Sequence, residues 1–143
     1  MKKISAILLV ILCVITLTSC ASVGYEKAPS WLRGKTWTGY NTYIYEDELI
    51  TEDYSFTFYN DGTFRIEDHF EELPEGMIIN TSNNSNTYQI NFVGPFEFEG
   101  VIENIEATFT FKKVSDYECE YNSMFKSSSV PTPYFDSVTL HAN

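Results

Sequence analysis

Few residues in this chain have the types and spacing that catalysis or metal binding requires. The two histidines, His69 and His141, are far apart in the sequence, and no His-x-x-x-His or Cys-x-x-Cys pair occurs. No Gly-x-Ser-x-Gly elbow and no glycine-rich phosphate loop is present. Asp68, Glu71 and Glu72 lie beside His69 and could bind a cation weakly, although such a charge run is usually a solvated rim. The residue types therefore predict no catalytic residues, no metal site and no cofactor, and we expect the protein not to be an enzyme.

The N-terminal residues have the pattern of an export signal. Two lysines precede the apolar run Ile4–Leu17, which is shorter than the about 20 residues of a membrane-spanning helix and has the layout of a secretory signal. The run ends in Leu17-Thr18-Ser19-Cys20, which resembles the lipobox of bacterial lipoproteins. That resemblance implies cleavage before Cys20 and acyl chains such as palmitate on the new N-terminal residue, which would anchor the domain to a membrane of the cell envelope, outside the cytoplasm. The alternatives are an ordinary signal peptide with a chance cysteine and an uncleaved anchor.

On this interpretation the chain has three parts: a lipoprotein signal peptide (1–19), a lipidated tether (20–29) and one domain (30–143). The formal charge of the whole chain is −11, and loss of Lys2 and Lys3 with the signal would leave seven basic residues against 20 acidic ones. An acidic domain of this kind argues against nucleic acid and other polyanions as partners. The expected partners are a membrane, reached through the lipid on Cys20, and a small hydrophobic ligand; the sequence does not identify a protein partner.

Cys119 would be the one cysteine of the mature chain without lipid, so no intramolecular disulfide is expected. It lies between Tyr117 and Tyr121 at the spacing of a strand, and its direct neighbours Glu118 and Glu120 are acidic. A reactive thiol needs electropositive surroundings. We therefore expect Cys119 to be a small buried apolar group.

The strongest local structural signal is a hairpin at Tyr54–Ile66. Aromatic residues alternate with smaller or polar ones on both sides of Asn60-Asp61-Gly62, the pattern of two antiparallel strands joined by a tight turn. A three-residue loop would pair Phe58 with Phe64 and gather the apolar side chains on one face, whereas a two-residue Asp-Gly turn would pair Phe58 with Arg65. We therefore predict a type I turn, followed by Gly62 in the left-handed conformation and a bulge.

Period-two alternation recurs along the rest of the domain, and no helix longer than one or two turns is predicted. The expected elements are a short helical turn at Pro29–Gly34 and further strands at Trp37–Tyr45, Met77–Asn80, Thr87–Val93, Phe96–Asn104, Ile105–Phe111, Tyr117–Tyr121 and Tyr134–His141, with a polar loop at Thr81–Asn86 and a break at Gly94-Pro95. Short strands at regular spacing predict an all-β sandwich or barrel. We favour an antiparallel up-and-down β-barrel of about eight strands, because closure removes exposed edges.

Two motifs in succession, Trp31-Leu32-x-Gly34-x-x-Trp37 and Phe56-x-Phe58-x-Asn60-Asp61-Gly62-Thr63-Phe64, resemble the opening of small bacterial lipocalin-like (calycin-type) lipoproteins. The motifs cover the first part of the domain, and the remainder is similar in strand rhythm. The resemblance implies a lipocalin-like barrel. Trp31 or Trp37 would plug one of its ends, since an indole buries a large apolar area.

Two functions are compatible with these residues. The barrel could hold one small apolar ligand, or its interior could be packed solid in a structural or interaction protein of the envelope. The residues expected to point inward are Phe56, Phe58, Phe64, Ile66, Tyr88, Ile90, Phe92, Phe96, Phe98, Phe109 and Phe111; the candidate ligand-binding residues among them are Phe56, Phe58, Phe64, Tyr88, Phe92, Phe109 and Phe111. So many rings would fill much of a barrel, but they would also line an apolar site well.

Replacing Cys20 with Ser tests the predicted anchor. Without the thiol there is no acceptor for the diacylglycerol group, so we expect the Cys20→Ser protein to move from the detergent phase to the soluble fraction in phase partitioning. The matched control is Cys13→Ser, which should leave partitioning unchanged. Membrane partitioning that survives in Cys20→Ser would contradict lipidation at this residue.

Overall fold

The protein is described by a computed structural model that covers residues 26–67, 77–98 and 100–143. The predicted signal peptide, Cys20 and the cluster around His69 lie outside these residues. The strands are β1 (Lys35–Tyr45), β2 (Glu48–Phe58), β3 (Phe64–Glu67), β4 (Ile78–Asn84), β5 (Thr87–Phe98), β6 (Val101–Lys113), β7 (Glu118–Ser127) and β8 (Tyr134–Ala142).

The eight strands form one antiparallel sheet in the order β3-β2-β1-β8-β7-β6-β5-β4. Strands that follow one another in the chain are paired, except that β3 and β4 form the two edges of the described sheet. The link between the first and last strands is short, with Trp37 opposite Ala142 and Thr38 opposite His141. Gly39 permits this approach, because a Cβ there would lie 2.6 Å from the Thr139 carbonyl oxygen. The sheet curls into a half-barrel, which confirms the predicted all-β, up-and-down fold class.

The hairpin register predicted from the sequence is confirmed. Phe58 lies opposite Phe64, and Phe56 lies opposite Ile66. The Tyr59 amide donates to the Thr63 carbonyl oxygen at 2.8 Å, and the Gly62 amide donates to the Tyr59 carbonyl oxygen at 3.0 Å. Gly62 has a φ of +92°, in the left-handed region that favours glycine.

The hairpin between β1 and β2 was not predicted. Its two-residue turn is Glu46-Asp47, with φ values of +49° and +66°, as in a type I′ turn. Tyr45 and Glu48 close the turn as a pair. The Asn-Gly or Asp-Gly sequence that is usual in such turns is missing here, so the local sequence does not indicate this hairpin.

Two predicted interruptions of the sheet are wrong. Thr81–Asn84 belongs to β4, since its residues pair with β5 from Thr81 opposite Ile90 to Asn84 opposite Thr87. Pro95 lies inside β5. It lies opposite Asn104 of β6, two residues past Val93, where the described pairing with β4 ends. Proline occurs within a sheet where its missing N–H costs no ladder hydrogen bond.

The predicted helical turn at Pro29–Gly34 is a hydrogen-bonded turn. The amides of Leu32 and Arg33 both donate to the Pro29 carbonyl oxygen, at 3.0 and 3.3 Å. No helix in the described part of the chain is long and apolar enough to span a membrane.

The stretch Glu26–Gly34, here called the closing segment, covers one end of the half-barrel, which we call the lower end. Glu26 is bonded to β4, because its carbonyl oxygen accepts from the Thr81 hydroxyl at 2.7 Å and its carboxylate accepts from the Asn83 amide at 2.7 Å. The Gly34 amide donates to the Phe58 carbonyl oxygen on β2 at 2.7 Å. The closing segment is thus hydrogen-bonded to β4, one edge strand, and to β2, the neighbour of the other edge strand, β3.

A side chain at Gly62 should disturb both the turn and the closing segment. A Cβ there would lie 2.8 Å from the Lys27 Cβ. The residue that carries it would also have to keep the backbone φ of +92°. We expect Gly62→Val to lower the free energy of unfolding by about 2–4 kcal/mol, from backbone strain and overpacking together. Urea unfolding measures the change.

Gly100→Val is the matched control. Gly100 also has a positive φ, of +81°, but apart from its chain neighbours no described residue has an atom within 4 Å of its Cβ position. Its cost should therefore be backbone strain alone, about 1–2 kcal/mol. Equal losses in the two variants would show that the contact with Lys27 contributes nothing.

Candidate functional site: the interior of the half-barrel

The lower interior is filled by aromatic rings. Phe111 packs edge-to-face on Phe56 and Phe58, with centroids 5.0 and 5.2 Å apart, and Phe92 lies 5.2 Å from Phe109. The structure brings all seven candidate ligand-binding residues together: Phe56, Phe58, Tyr88, Phe92, Phe109 and Phe111 are buried, and the half-buried Phe64 packs against them. The side chains of Ile66 and Phe98, also expected inside, are not among those described. These rings contact one another, so a ligand would have to displace them to enter here.

Both tryptophans lie at the lower end, as expected for a plug. Their rings meet edge-to-face at 6.0 Å, and the Trp37 indole N–H donates to the Leu32 carbonyl oxygen at 3.1 Å. The Lys35 ammonium lies over the faces of Trp37 and Tyr117, at 5.5 and 5.2 Å from the centroids. This cation–π contact covers the plug from outside.

The upper end, opposite the closing segment, contains an apolar cleft of about 480 Å³, here called the upper cleft. Its lining is formed by inner-face positions of β5, β6 and β7 and by the loop that follows β7: Phe96, Val101, Glu103, Ile105, Phe125, Ser127, Ser129 and Val130. Alternation explains this set, because Val101, Glu103 and Ile105 continue upward the inner row of Ala107, Phe109 and Phe111 on β6.

Glu103 is the acidic member of the upper cleft. Hydrogen bonds from the hydroxyls of Ser127 and Ser129 hold the pKa of the Glu103 carboxyl below its usual value. Ser127 also accepts from the Val130 amide at 3.1 Å, which fixes the loop beside the cleft. This carboxylate is therefore already hydrogen-bonded within the protein.

A second polar group lies on β2 and β8, where Glu52 and Asp136 form what we call the carboxylate pair. The Tyr54 hydroxyl contacts both of them, with Glu52 Oε2 at 3.0 Å and Asp136 Oδ2 closer still. The Tyr43 hydroxyl donates to Glu52 Oε1 at 2.7 Å, and Asn41 Nδ2 donates to Asp136 Oδ1 at 2.8 Å. The upper interior thus has an apolar side and an acidic side.

Tyrosine ionisation is suppressed around the carboxylate pair. The hydrogen bond to Glu52 raises the pKa of Tyr43 to about 12. Burial, followed by the hydrogen bonds to Asp136 and Glu52, raises the pKa of Tyr54 further. Burial also raises the pKa of Tyr121. These phenols remain neutral hydrogen-bond donors at physiological pH.

The carboxylate pair was missed from the sequence, although the signal was present. Glu52 is two residues before the inward Tyr54, and Asp136 is two residues before the inward Val138, so strict alternation places both on the inner face. The alternation of apolar residues alone does not indicate such positions, because acidic residues usually lie on a solvated face.

The remaining reactive residues are isolated from one another. Burial raises the pKa of the Cys119 thiol to about 12, in agreement with an inert buried group. His141 is exposed on β8, and its Nδ1 lies 3.8 Å from Glu118 Oε2. No group of three or more His, Cys, Asp or Glu side chains suited to a metal ion occurs within residues 26–67, 77–98 and 100–143.

No family model, no curated protein and no solved structure matches this chain. Its function therefore has to be inferred from its own residues and their geometry.

The raised tyrosine pKa values predict an alkaline loss of stability. In the unfolded chain a tyrosine ionises near pH 10, whereas folded Tyr43 keeps its proton to about pH 12. The unfolded state therefore binds fewer protons above pH 10, and the free energy of unfolding should fall as pH rises from about 10 to 12. Urea unfolding at a series of pH values measures the free energy of unfolding, and tyrosinate absorbance at 295 nm measures the ionisation of the tyrosines.

Tyr43→Phe should weaken this pH dependence, and Tyr40→Phe, on the outer face of the same strand, is its control. Ionisation of every tyrosine near pH 10 with circular dichroism unchanged would contradict the hydrogen bonding described here.

Proposed function

We propose that this chain is a membrane-anchored bacterial lipoprotein with a lipocalin-like domain that binds one small apolar ligand in the upper cleft. The observation that carries the proposal is the upper cleft itself. Its volume, about 480 Å³, is within the range of small-molecule sites. Its apolar side chains and few polar groups suit a largely hydrophobic ligand. The lipobox-like sequence at Cys20 supports the anchor, and the two opening motifs support the lipocalin-like assignment.

The site proposed for the ligand is higher in the half-barrel than the sequence suggested. Phe58 and Phe111 at the lower end are almost completely buried, and their rings pack edge-to-face. Opening a cavity among such rings would cost several kcal/mol, because each truncated or displaced ring loses its contacts. The upper cleft needs no such displacement.

The position of the closing segment supports access to the cleft from the aqueous side. Six residues, 20–25, separate the predicted lipid from Glu26, and their fully extended length is about 20 Å. Since Glu26 is bonded to β4 at the lower end, a lipid on Cys20 would hold that end near the membrane. The upper cleft would then face away from it.

An interaction protein remains the second candidate, and a specific observation favours it. Large apolar side chains are exposed toward the upper end of the sheet: Ile44 is 74% exposed, Leu49 is 71% exposed and Phe135 is 69% exposed. Exposed apolar side chains that cluster often mark a protein contact.

Native mass spectrometry of the domain, purified from its own host, distinguishes these two functions. Residues 26–143 contain the whole described sheet and its core, so the chain from Ala21 onward serves as the domain. A stoichiometric apolar adduct is expected. A clean apo mass would contradict the ligand and favour the interaction protein.

Val101→Trp, which places a ring in the cleft, should abolish the adduct. Ile102→Trp is the matched control, because the next residue of β6 points to the opposite face. An adduct retained in Val101→Trp would place the ligand elsewhere.

A further inference from the structure

We propose that the carboxylate pair binds the ammonium group of an amphiphilic organic cation whose apolar part occupies the upper cleft. This inference rests on the proposed ligand-binding function and adds the chemical class of the ligand. Three observations support it. Glu52 and Asp136 have room for a further hydrogen-bond donor, the Tyr121 hydroxyl is buried without a hydrogen-bond partner, and the sheet register places the carboxylate pair near the upper cleft.

The donor shortage concerns the two inner oxygens of the carboxylate pair. Glu52 Oε1 accepts from the Tyr43 hydroxyl, and Asp136 Oδ1 accepts from Asn41 Nδ2 and from the Ser137 amide. Glu52 Oε2 and Asp136 Oδ2 both face the Tyr54 hydroxyl. A phenol has one proton, so it can donate to only one of these two oxygens at a time. The pair has room for one further donor.

None of the lysine, arginine or histidine side chains in the described ranges forms an ion pair with Glu52 or Asp136. Among the ion pairs of that part of the chain are those of Glu106, Asp116, Glu118 and Glu120. Two carboxylates on the inner face without a basic partner are unfavourable, because like charges repel and both are partly desolvated. A bound cation would relieve both effects.

The Tyr121 hydroxyl is the second observation. Tyr121 is completely buried, and its hydroxyl has no hydrogen-bond partner within the described structure. Its ring lies 5.6 Å from that of Tyr54. Burial raises the pKa of Tyr121, the Ser123 hydroxyl lowers it and the charge of Asp136 raises it, so both of these side chains lie near the Tyr121 hydroxyl. An ammonium group at Asp136 would bring an N–H donor close to this oxygen.

The sheet register connects the carboxylate pair to the upper cleft. Asp136 lies opposite Ser123, and the next inner pair toward the upper end is Tyr134 opposite Phe125, a residue that lines the cleft. A molecule with its charge at Asp136 can therefore place an apolar chain along Phe125.

An organic ammonium fits this arrangement better than a metal ion. Calcium and magnesium take six or more oxygen ligands, whereas two carboxylates are present here. An ammonium needs few acceptors, and Glu52 Oε2 and Asp136 Oδ2 can supply them. The adjoining cleft would shield an alkyl chain from water.

Three probes of equal chain length test the inference on the domain from Ala21 onward: hexylammonium, 1-hexanol and hexanoate, each titrated with detection by NMR chemical shifts. Hexanol measures the apolar cleft alone. We expect hexylammonium to bind about tenfold more tightly than hexanol, since hydrogen bonds to charged groups are about twice as strong as neutral ones. Hexanoate should bind more weakly than hexanol.

The double variant Glu52→Gln/Asp136→Asn should remove the preference for hexylammonium and leave hexanol binding unchanged. The control Asp53→Asn removes a charge from the neighbouring outer-face position and should preserve the preference. Glu52→Gln alone, which retains an acceptor for Tyr43, should reduce the preference and serves if the double variant does not fold.

Hexanol binding without a preference for hexylammonium would overturn this inference and leave the proposed apolar site standing. A preference that survives in the double variant would also overturn it. Failure of all three probes to bind would contradict the cleft itself, and with it both proposals.

Discussion

The contact among Phe56, Phe111 and Tyr121 is the interaction on which the shape of the sheet depends. Phe56 lies on β2, whereas Phe111 and Tyr121 lie on β6 and β7 on the other wall, and the centroids are 4.7–5.3 Å apart. Because β3 and β4 are the edges of the described sheet, hydrogen bonds between those strands do not close it there. Burial of these rings, at roughly 25 cal/mol for each Å² of apolar surface, holds the two walls together.

This packing also divides the interior. Below the three rings, the closing segment and both tryptophans complete a solid core. Above them the inner-face residues become acidic on two strands: Tyr54 is followed upward by Glu52 on β2, and Val138 by Asp136 on β8. The upper cleft lies at the same end, along β5, β6 and β7. The half-barrel is therefore solid at its lower end and has a cleft at its upper end.

Much of the fold could be predicted from the sequence, because residues two apart share a face. The turn around Gly62 set its register, and the inner row of β6 was recognised from Ile105 to Phe111. What failed depended on contacts with other parts of the chain. Thr81 is a strand residue because it pairs with β5 and bonds to Glu26. These long-range contacts cannot be predicted from local strand propensity. Pro95 lies in β5 just past the point where the described pairing with β4 ends, and its local sequence does not indicate that.

The candidate site was harder to predict for a related reason. A carboxylate on an inner face departs from the usual pattern of apolar residues inside, so the alternation of apolar residues does not indicate it. Glu52 and Asp136 have hydrogen bonds that a solvated pair would not need, from Tyr43, Asn41 and Tyr54. An apolar pair at these positions would stabilise the sheet at least as well, because carboxylates that are partly removed from water are a weak source of stability. Stability of the fold therefore gives no reason for two charges at this place, whereas the proposed recognition of a cation would use both.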